Sequence, residues 1–496
     1  MELGGMANSQ QKINSIFEKS YAPRRWAVML LLIISSSVVK AEIIWVDVKD
    51  PNIKDALFDS YQGHHFSSIT RLQMAQKLGR VLNQEQAGLV LGGMYLAYGF
   101  HDQAASIFET FLSLEQPKAV RDQAWYFLAK TRYQRGNYSG ALQALAKVQG
   151  TQDFGLAQER NLLEATILLK QDKNLEALRV LKKINERSDW GMYAKFNKGV
   201  AIYHLGREQE GVKLLDEIGS ISGRDPELQA LKDKANLVLG YGYLDKDNPD
   251  SAKTYLERMK LTGPFSNKAL LALGRAYSDK KMYKKSLASW LKLIERHPSD
   301  PAVQDAYMAV PFAFGQLEAY KQSLEYYEKA MLSFQNEIEQ INLAADAVGG
   351  GEMLEGMIQV AQVETEGDDQ RKLKRVLNTP EGRYLVPLLA SYEFREALDN
   401  YAALRLSLGR LEGWSATLGT YENLSDDKRR DYEQRIARAQ SKVLLLVEKY
   451  RHHLQSMAYD ELERRKQRLV SYFNEARFSV AQIYDYAAKR WGTGNE

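Results

Sequence analysis

Two stretches of this chain, 34 residues apart, carry one pattern. The first reads LGYGYLDKDNPDSAKTYLERM and the second LGRAYSDKKMYKKSLASWLKL. Leu239, Gly240, Tyr243, Ala252, Leu256, Met259 and Pro264 recur as Leu273, Gly274, Tyr277, Ser286, Trp290, Leu293 and Pro298. A fixed period of this size marks a stacked repeat, in which one hairpin cannot bury its apolar face without a neighbour. The residue types fit two packed helices. Gly240 and Gly274 are small where a second helix lies close, and Tyr243 and Tyr277 fill the space between the two helices. Ala252 and Ser286 stand at the crossing, and Leu256 and Trp290 lie one turn later on the same face. Pro264 and Pro298 are expected to stop the second helix, because proline lacks an N–H and restricts the residue before it.

The order leucine–glycine, tyrosine, small residue, large apolar residue, proline resembles the tetratricopeptide repeat. The resemblance covers roughly residues 53–334. It implies an all-α, TPR-like α-solenoid of helical hairpins and specifies fold far better than function.

The small crossing position recurs at Ser68, Ala104, Ala141, Ala177, Gly211, Ala252, Ser286 and Ser323. A large side chain follows four residues later: Leu72, Phe108, Leu145, Leu181, Leu215, Leu256, Trp290 or Tyr327. Ala75, Phe111, Val148, Ile184, Ile218, Met259, Leu293 or Ala330 follows three beyond that, which keeps one helix face apolar. Turn residues stand where each hairpin reverses, at Gly63, Gly99, Gly136, Gly206 and Asp247–Asn248. About eight hairpins are therefore predicted over 53–334. The 41-residue step around Gly219–Asp225 predicts a longer loop, and Pro311 falls inside the first helix of the eighth hairpin.

Residues 1–41 read as a secretory signal peptide. Lys19, Arg24 and Arg25 precede the apolar run Trp26–Val39, and Val39 and Ala41 supply the small residues before a cut at Ala41–Glu42. The alternative is membrane anchoring by residues 26–39. Export suggests a bacterial periplasm. A short extended segment is expected over 42–52.

Beyond residue 334 the period lapses, and a divergent helical region is expected over 335–424. Asn336–Val348 reads as a helix interrupted by Gly349, Gly350 and Gly351, a flexible break rather than a phosphate cradle, since no GxxxxGK[ST] accompanies it. Glu364–Asp369 is acidic and Arg371–Arg375 basic, a solvated boundary. Thr379 with Pro380 caps a helix start. Ala397, Tyr401 and Leu404 sit at repeat offsets and make 384–406 a candidate ninth repeat. From Ser425 to Arg490 there is neither glycine nor proline. Ile436, Val443, Tyr450 and Met457 recur every seven residues, as do Leu462, Leu469, Ala476 and Ile483 in a shifted phase. Residues 425–490 thus predict a long helix or helical hairpin, forming a coiled coil or folding back on the solenoid.

The chain has 496 residues, a formal net charge of +4 and no cysteine. The first 41 residues hold five Lys or Arg and two Asp or Glu, leaving about +1 elsewhere, which is no nucleic-acid footprint. Disulfides, thiolate metal sites and cysteine nucleophiles are excluded. His64–His65 and His452–His453 are adjacent pairs whose members point apart on a helix. No HExxH, GxSxG or nucleotide fingerprint appears. No catalytic, cofactor or metal residues are assigned.

The expected function is a non-enzymatic periplasmic scaffold holding an envelope protein. The alternative is a scaffold of exopolysaccharide, secretion or pilus export that contacts polymer or an outer-membrane pore. An enzyme with appended repeats ranks last. The resemblance implies that first helices line a binding groove, which would receive Tyr126, Lys130, Tyr133, Phe196, Tyr203, Tyr241, Arg275 and Phe312. Aromatic faces beside isolated cations suit an extended peptide or a sugar chain. Self-association through the C-terminal helix is a further expectation.

Overall fold

The computed structural model describes residues 49–62, 65–98, 101–113, 118–150, 154–223, 225–351, 354–356, 380–389, 391–418 and 425–492. The signal segment, residues 42–48, the turns at Gly63 and Gly99, His64, the boundary Glu364–Arg375 and the Thr379 cap lie outside them. The described residues are helical throughout, with no strand among them. The fold is an all-α, TPR-like α-solenoid, followed by a long C-terminal helix. Two compact units divide the chain. The described residues of one fall within Thr151–Leu332 and Glu475–Glu496, and those of the other within Val39–Gly150 and Ser333–Asn474.

In the second of these units three hairpins follow one another. They are α1 (Pro51–Tyr61) with α2 (His65–Lys77), α3 (Gln84–Tyr98) with α4 (His101–Ser113), and α5 (Lys118–Gln134) with α6 (Tyr138–Leu145). Helix α1 starts inside the stretch expected to be extended. Asp50 is the reason: its carboxylate accepts the Asn52 N–H at 2.8 Å, and Pro51 occupies the first turn, where a missing N–H is harmless.

The other unit holds α7 (Phe154–Lys170) with α8 (Asn174–Leu181), α9 (Gly191–His204) with α10 (Glu208–Gly219), and α11 (Pro226–Leu244) with α12 (Pro249–Leu256). It continues with α13 (Ser266–Asp279), α14 (Tyr283–Ile294), α15 (Pro301–Gln316) and the start of α16 (Tyr320–Gly350). Asp225 before Pro226 and Asp300 before Pro301 repeat the Asp–Pro cap of α1. The 41-residue step is absorbed by longer helices rather than by a loop. Helix α11 has 19 residues against 14 in α9 and in α13, and only residues 220–225 connect α10 to α11.

All eight small crossing residues fall on second helices and are buried. Where a glycine faces the crossing, at Gly92, Gly199, Gly240 and Gly274, a side chain has no room. A Cβ on Gly240 would collide with Leu256, and one on Gly274 with the indole of Trp290. Where the crossing residue is serine, its hydroxyl can bond to the first helix. Ser68 Oγ donates to the Ala56 carbonyl at 2.6 Å and Ser323 Oγ to that of Pro311 at 2.8 Å. Pro311 is buried inside α15 as expected.

One local device is common to the six hairpins from α5 onward whose turns are described. Five residues before each crossing, the backbone takes a left-handed conformation: Gly136, Asp172, Gly206, Asp247, Lys281 and Glu318, with φ between 55° and 80°. Such a residue ends the first helix and reverses the chain.

Three local expectations are corrected. Helix α12 ends at Leu256 and α14 at Ile294, before Pro264 and Pro298 are reached. Three-residue hydrogen bonds such as Met259 N–H to the Leu256 carbonyl (3.2 Å) tighten the chain first. Asn336–Val348 is not a separate helix but the later half of α16, which runs unbroken for 31 residues and stops where Gly351 takes φ +81°. The segment before Ala397 is not one full first helix. It forms two short helices, α17 (Pro380–Tyr384) and α18 (Val386–Leu389), before α19 (Tyr392–Thr417). Ala397 and Tyr401 are buried on α19, and Leu404 is half-buried.

Residues Asp426–Gly492 make one 67-residue helix, α20. In the unit containing Ser333–Asn474 it lies along α16: the Phe334 and Tyr472 rings are 5.7 Å apart, and Gln455 Nε2 donates to the Val348 carbonyl at 2.8 Å and the Gly349 carbonyl at 3.2 Å. Val447, Leu454, Ala458, Leu462, Leu469 and Tyr472 form its buried stripe there. In the other unit the Tyr320 and Tyr486 rings stand 5.3 Å apart. In both places α20 packs on the second helix of the eighth hairpin. No helix of the described residues is long and apolar enough to cross a membrane.

Candidate functional site

The first helices carry the residues expected to bind a partner. Helix α5 bears Tyr126, Lys130 and Tyr133. Tyr126 is only 1% exposed and packs edge-on against Phe127, with ring centroids 5.3 Å apart. Lys130 and Tyr133 are half-buried. Tyr133 tilts against Tyr138 of α6 at 5.9 Å, and burial pushes its hydroxyl up to about 12.

In the other unit, Phe196 is 1% exposed and Tyr241 is 7% exposed. The Tyr241 hydroxyl donates to the Lys268 carbonyl of α13 at 3.3 Å. Tyr203 is half-buried; its hydroxyl donates to the Gly242 carbonyl at 3.4 Å, and Lys246 Nζ lies 4.6 Å from its ring centroid. Arg275 faces Asp279 one turn on, at 3.7 Å, and its charge also reaches Asp245. Phe312 meets Tyr283 edge-on at 6.4 Å.

Tyr126, Phe196 and Tyr241 therefore do not present open faces. They pack between neighbouring helices, because a first helix touches both its own partner and the hairpins on either side. The half-buried members are Lys130, Tyr133, Tyr203, Arg275 and Phe312.

A polar cluster missed in the sequence lies on three successive first helices. Lys234 of α11 is 2% exposed, and its Nζ has no hydrogen-bond partner. That nitrogen stands 5.1 Å from the centroid of Phe196 on α9. Burial, reinforced by the positive Lys170 of α7, lowers the Lys234 amine to about 7. Beside Phe196, Asn197 is 3% exposed. Its Nδ2 donates weakly to Thr166 Oγ1 of α7 at 3.4 Å, and its Oδ1 has no partner. Buried polar atoms are nearly always paired, so an amine and an amide oxygen without partners on successive first helices stand out. A signal was present in the sequence. Tyr126 and Tyr133 are seven residues apart, as are Phe196 and Tyr203, and the same spacing back from Tyr241 reaches Lys234.

Other titratable residues cluster in the unit with Ser333–Asn474. His101 of α4 pairs with Gln134 at 2.9 Å and lies 3.9 Å from Glu396 of α19. Burial lowers His101 to about 4 and raises Glu396. The Tyr384 hydroxyl donates to Glu337 at 2.9 Å. These groups tie helices together. His452 and His453 are exposed on α20. Among the described residues no group of three or more His, Asp or Glu converges as metal ligands would.

Residues 94–154 match the family described as tetratricopeptide repeat. That segment carries a tetratricopeptide repeat. The match spans α4, α5 and α6, and the 34-residue pattern in α11–α14 extends the same unit along the chain. Among solved structures, the apo form of RapI is 10% identical, with 68% of this chain and 98% of that one covered and a TM-score of 0.44. The apo form of the quorum sensor NprR from B. thuringiensis is 12% identical over 57% and 97%, with a TM-score of 0.33. The human IFIT1 dimer with m7Gppp-AAAA is 15% identical over 83% and 94%, with a TM-score of 0.27. No curated protein matches the chain.

Proposed function

We propose that this tetratricopeptide-repeat protein is a non-enzymatic adaptor of the bacterial envelope, holding an extended segment of a protein partner on its first helices. The observation that carries this reading is a pair of buried polar atoms without internal partners, Lys234 Nζ and Asn197 Oδ1, on successive first helices. A purely structural wall would fill those positions with apolar side chains. A peptide supplies the missing acceptor and donor from its own backbone and side chains. The envelope location rests on the basic, apolar, small-residue order of residues 1–41.

The test is capture from envelope and cytoplasmic fractions by the full chain, followed by binding of peptides tiled across each captured protein. A partner from the envelope whose binding maps to one short segment supports the reading. Loss of capture in Tyr203→Ala with Arg275→Ala, at unchanged helix content, would place the contact on the first helices. Recovery of cytoplasmic partners alone would overturn the compartment. N-terminal sequencing of the native protein checks export, with Glu42 expected as the first residue.

A further inference from the structure

The first hairpin keeps an apolar strip on its outer side that no described residue covers. Met74 and Leu78 of α2 are 48% and 53% exposed, and Leu82, just beyond the helix, is 80% exposed. We propose that residues 43–48 of this same chain lie extended along Met74, Leu78 and Leu82 and seal the N-terminal end of the solenoid. The proposal stands apart from the partner surface on the first helices.

Helix periodicity turns the strip outward. Ser68, Leu72 and Ala75 make the buried face of α2, where Ser68 meets the Ala56 carbonyl of α1. Gln73 donates to Tyr95 of α3. Met74 and Leu78, one turn apart, stand on the side away from these contacts. As the first described hairpin, α1 with α2 has a following neighbour but no preceding one. The outer face of a terminal unit in a repeat stack is normally polar, because nothing packs on it. A leucine–methionine strip in that place requires a cover.

The place where the chain enters α1 identifies the cover. The Leu82 N–H donates to the Asp50 carboxylate, and Asn52 Nδ2 donates to the Arg80 carbonyl at 2.8 Å. Residues 80–82 therefore lie against the first turn of α1, and the chain ahead of Lys49 joins that turn beside Leu82. Residues 43–48 read Ile-Ile-Trp-Val-Asp-Val. Side chains alternate along an extended segment, so Ile44, Val46 and Val48 share one wholly apolar face. Met74 and Leu78 are about 6 Å apart along α2. Six extended residues span roughly 20 Å, enough to pass Leu82 and reach both. The charges agree, since Glu42 and Asp47 are acidic while Lys77 and Arg80, exposed beside the strip, are basic. A second copy of the chain is the competing occupant. The tethered segment has the advantage, because a short connection gives it an effective concentration on the order of mM.

The chain has no cysteine, so introduced thiols report alone in the full chain. Val46→Cys with Leu78→Cys should form an intramolecular disulfide on mild oxidation, to the same extent at every protein dilution. Val46→Cys with Gln143→Cys, exposed on α6 two hairpins away, should not. The Val46→Cys thiol should also react with a maleimide about tenfold more slowly than the same thiol in a Met74→Lys, Leu78→Lys background, where the cover is repelled. Those two lysines replace exposed side chains, so helix content and melting should stay near wild type, which circular dichroism checks. Equal thiol reactivity in the two backgrounds, or no disulfide between positions 46 and 78, overturns the proposal. A disulfide-linked dimer in place of the intramolecular product gives the strip to a second copy and overturns it as well. So does a thiol that is slow only while a captured partner protein is present, since the strip would then belong to that partner.

Discussion

Trp290 donates its indole N–H to the carbonyl of Leu271, 3.1 Å away, and lies flat over Gly274 on the facing helix. One bond and one missing side chain thus fix how α13 and α14 cross. Gly274→Ala forces a methyl into the indole ring, and overpacking of this kind costs about 1–3 kcal/mol. Trp290→Ala leaves a cavity at a 1% exposed position and should cost about 3–5 kcal/mol. Urea denaturation checks both; a Gly274→Ala midpoint equal to wild type would disprove the crossing described here.

The left-handed turn residue predicts a gain. Lys281 sits at φ 56° and Glu318 at φ 55°, conformations that L-residues with a Cβ resist. Lys281→Gly and Glu318→Gly should each stabilise by roughly 0.5–1 kcal/mol, the relief of strain outweighing the entropy of a freer unfolded chain. Gly206→Ala, at φ 80°, should lose about 1 kcal/mol although nothing crowds the new methyl. Melting temperatures that order the three variants differently would refute the account.

His101 gives a pH dependence with a defined sign. Its folded value of about 4 lies below the ordinary 6.5, so between these limits the unfolded chain binds the extra proton. The stability contributed by the neutral ring is complete above pH 6.5 and is lost as pH falls to 4, on the order of 2–3 kcal/mol. Glu396 is raised and acts in the opposite sense, so the readout is a difference. Wild type minus His101→Gln, followed by denaturation from pH 4 to pH 7.5, should rise with pH. A flat difference would mean that His101 is solvated.

Lys234 follows the same linkage in another window. Its amine is lowered from 10.5 to about 7, so the folded chain gives up a proton that the unfolded chain keeps. The penalty is full below pH 7 and fades as pH rises to 10.5. Lys234→Met should therefore raise stability by a few kcal/mol at pH 6.5, on the order expected for relieving a buried unpaired amine. The gain should shrink toward pH 10. Equal melting of the two proteins at pH 6.5 would show that the amine finds a partner.

Gln455 anchors α20 through two carbonyls at the end of α16. Gln455→Leu leaves both of them unpaired by a side chain and should cost about 1–3 kcal/mol. Hydrogen exchange should quicken at residues 447–472 more than in α1–α4. Uniform protection across the variant would contradict the anchoring role.

The sequence by itself determined the hairpin. A glycine that admits the second helix, a small crossing residue and a large side chain four later are local requirements, and they recur because every hairpin solves the same packing problem. The eight crossing residues from Ser68 to Ser323 were legible for that reason. The helical character of 425–490 was legible too, since a run without glycine or proline favours helix, but the choice between one helix and a hairpin was not. The turn was legible where glycine marks it, at Gly136 and Gly206, and less so at Asp172, Lys281 and Glu318. There, packing on both sides holds a residue in a conformation it would not choose.

Only the tertiary structure decided what neighbouring hairpins do to one another. Tyr126, Phe196 and Tyr241 occupy first-helix positions that the pattern cannot distinguish from Tyr203 or Arg275, and adjacent helices cover the former and leave the latter half-open. Lys234 looks in sequence like any solvated lysine. Its 2% exposure and its place over Phe196 arise because α7, α9 and α11 stack side by side, and burial, a property of the stack, turns a surface charge into an unpaired amine. The run of α16 through the end of the eighth hairpin was hidden likewise. The period lapses near residue 334, whereas α16 runs on to Gly350, with Phe334 against Tyr472 of α20.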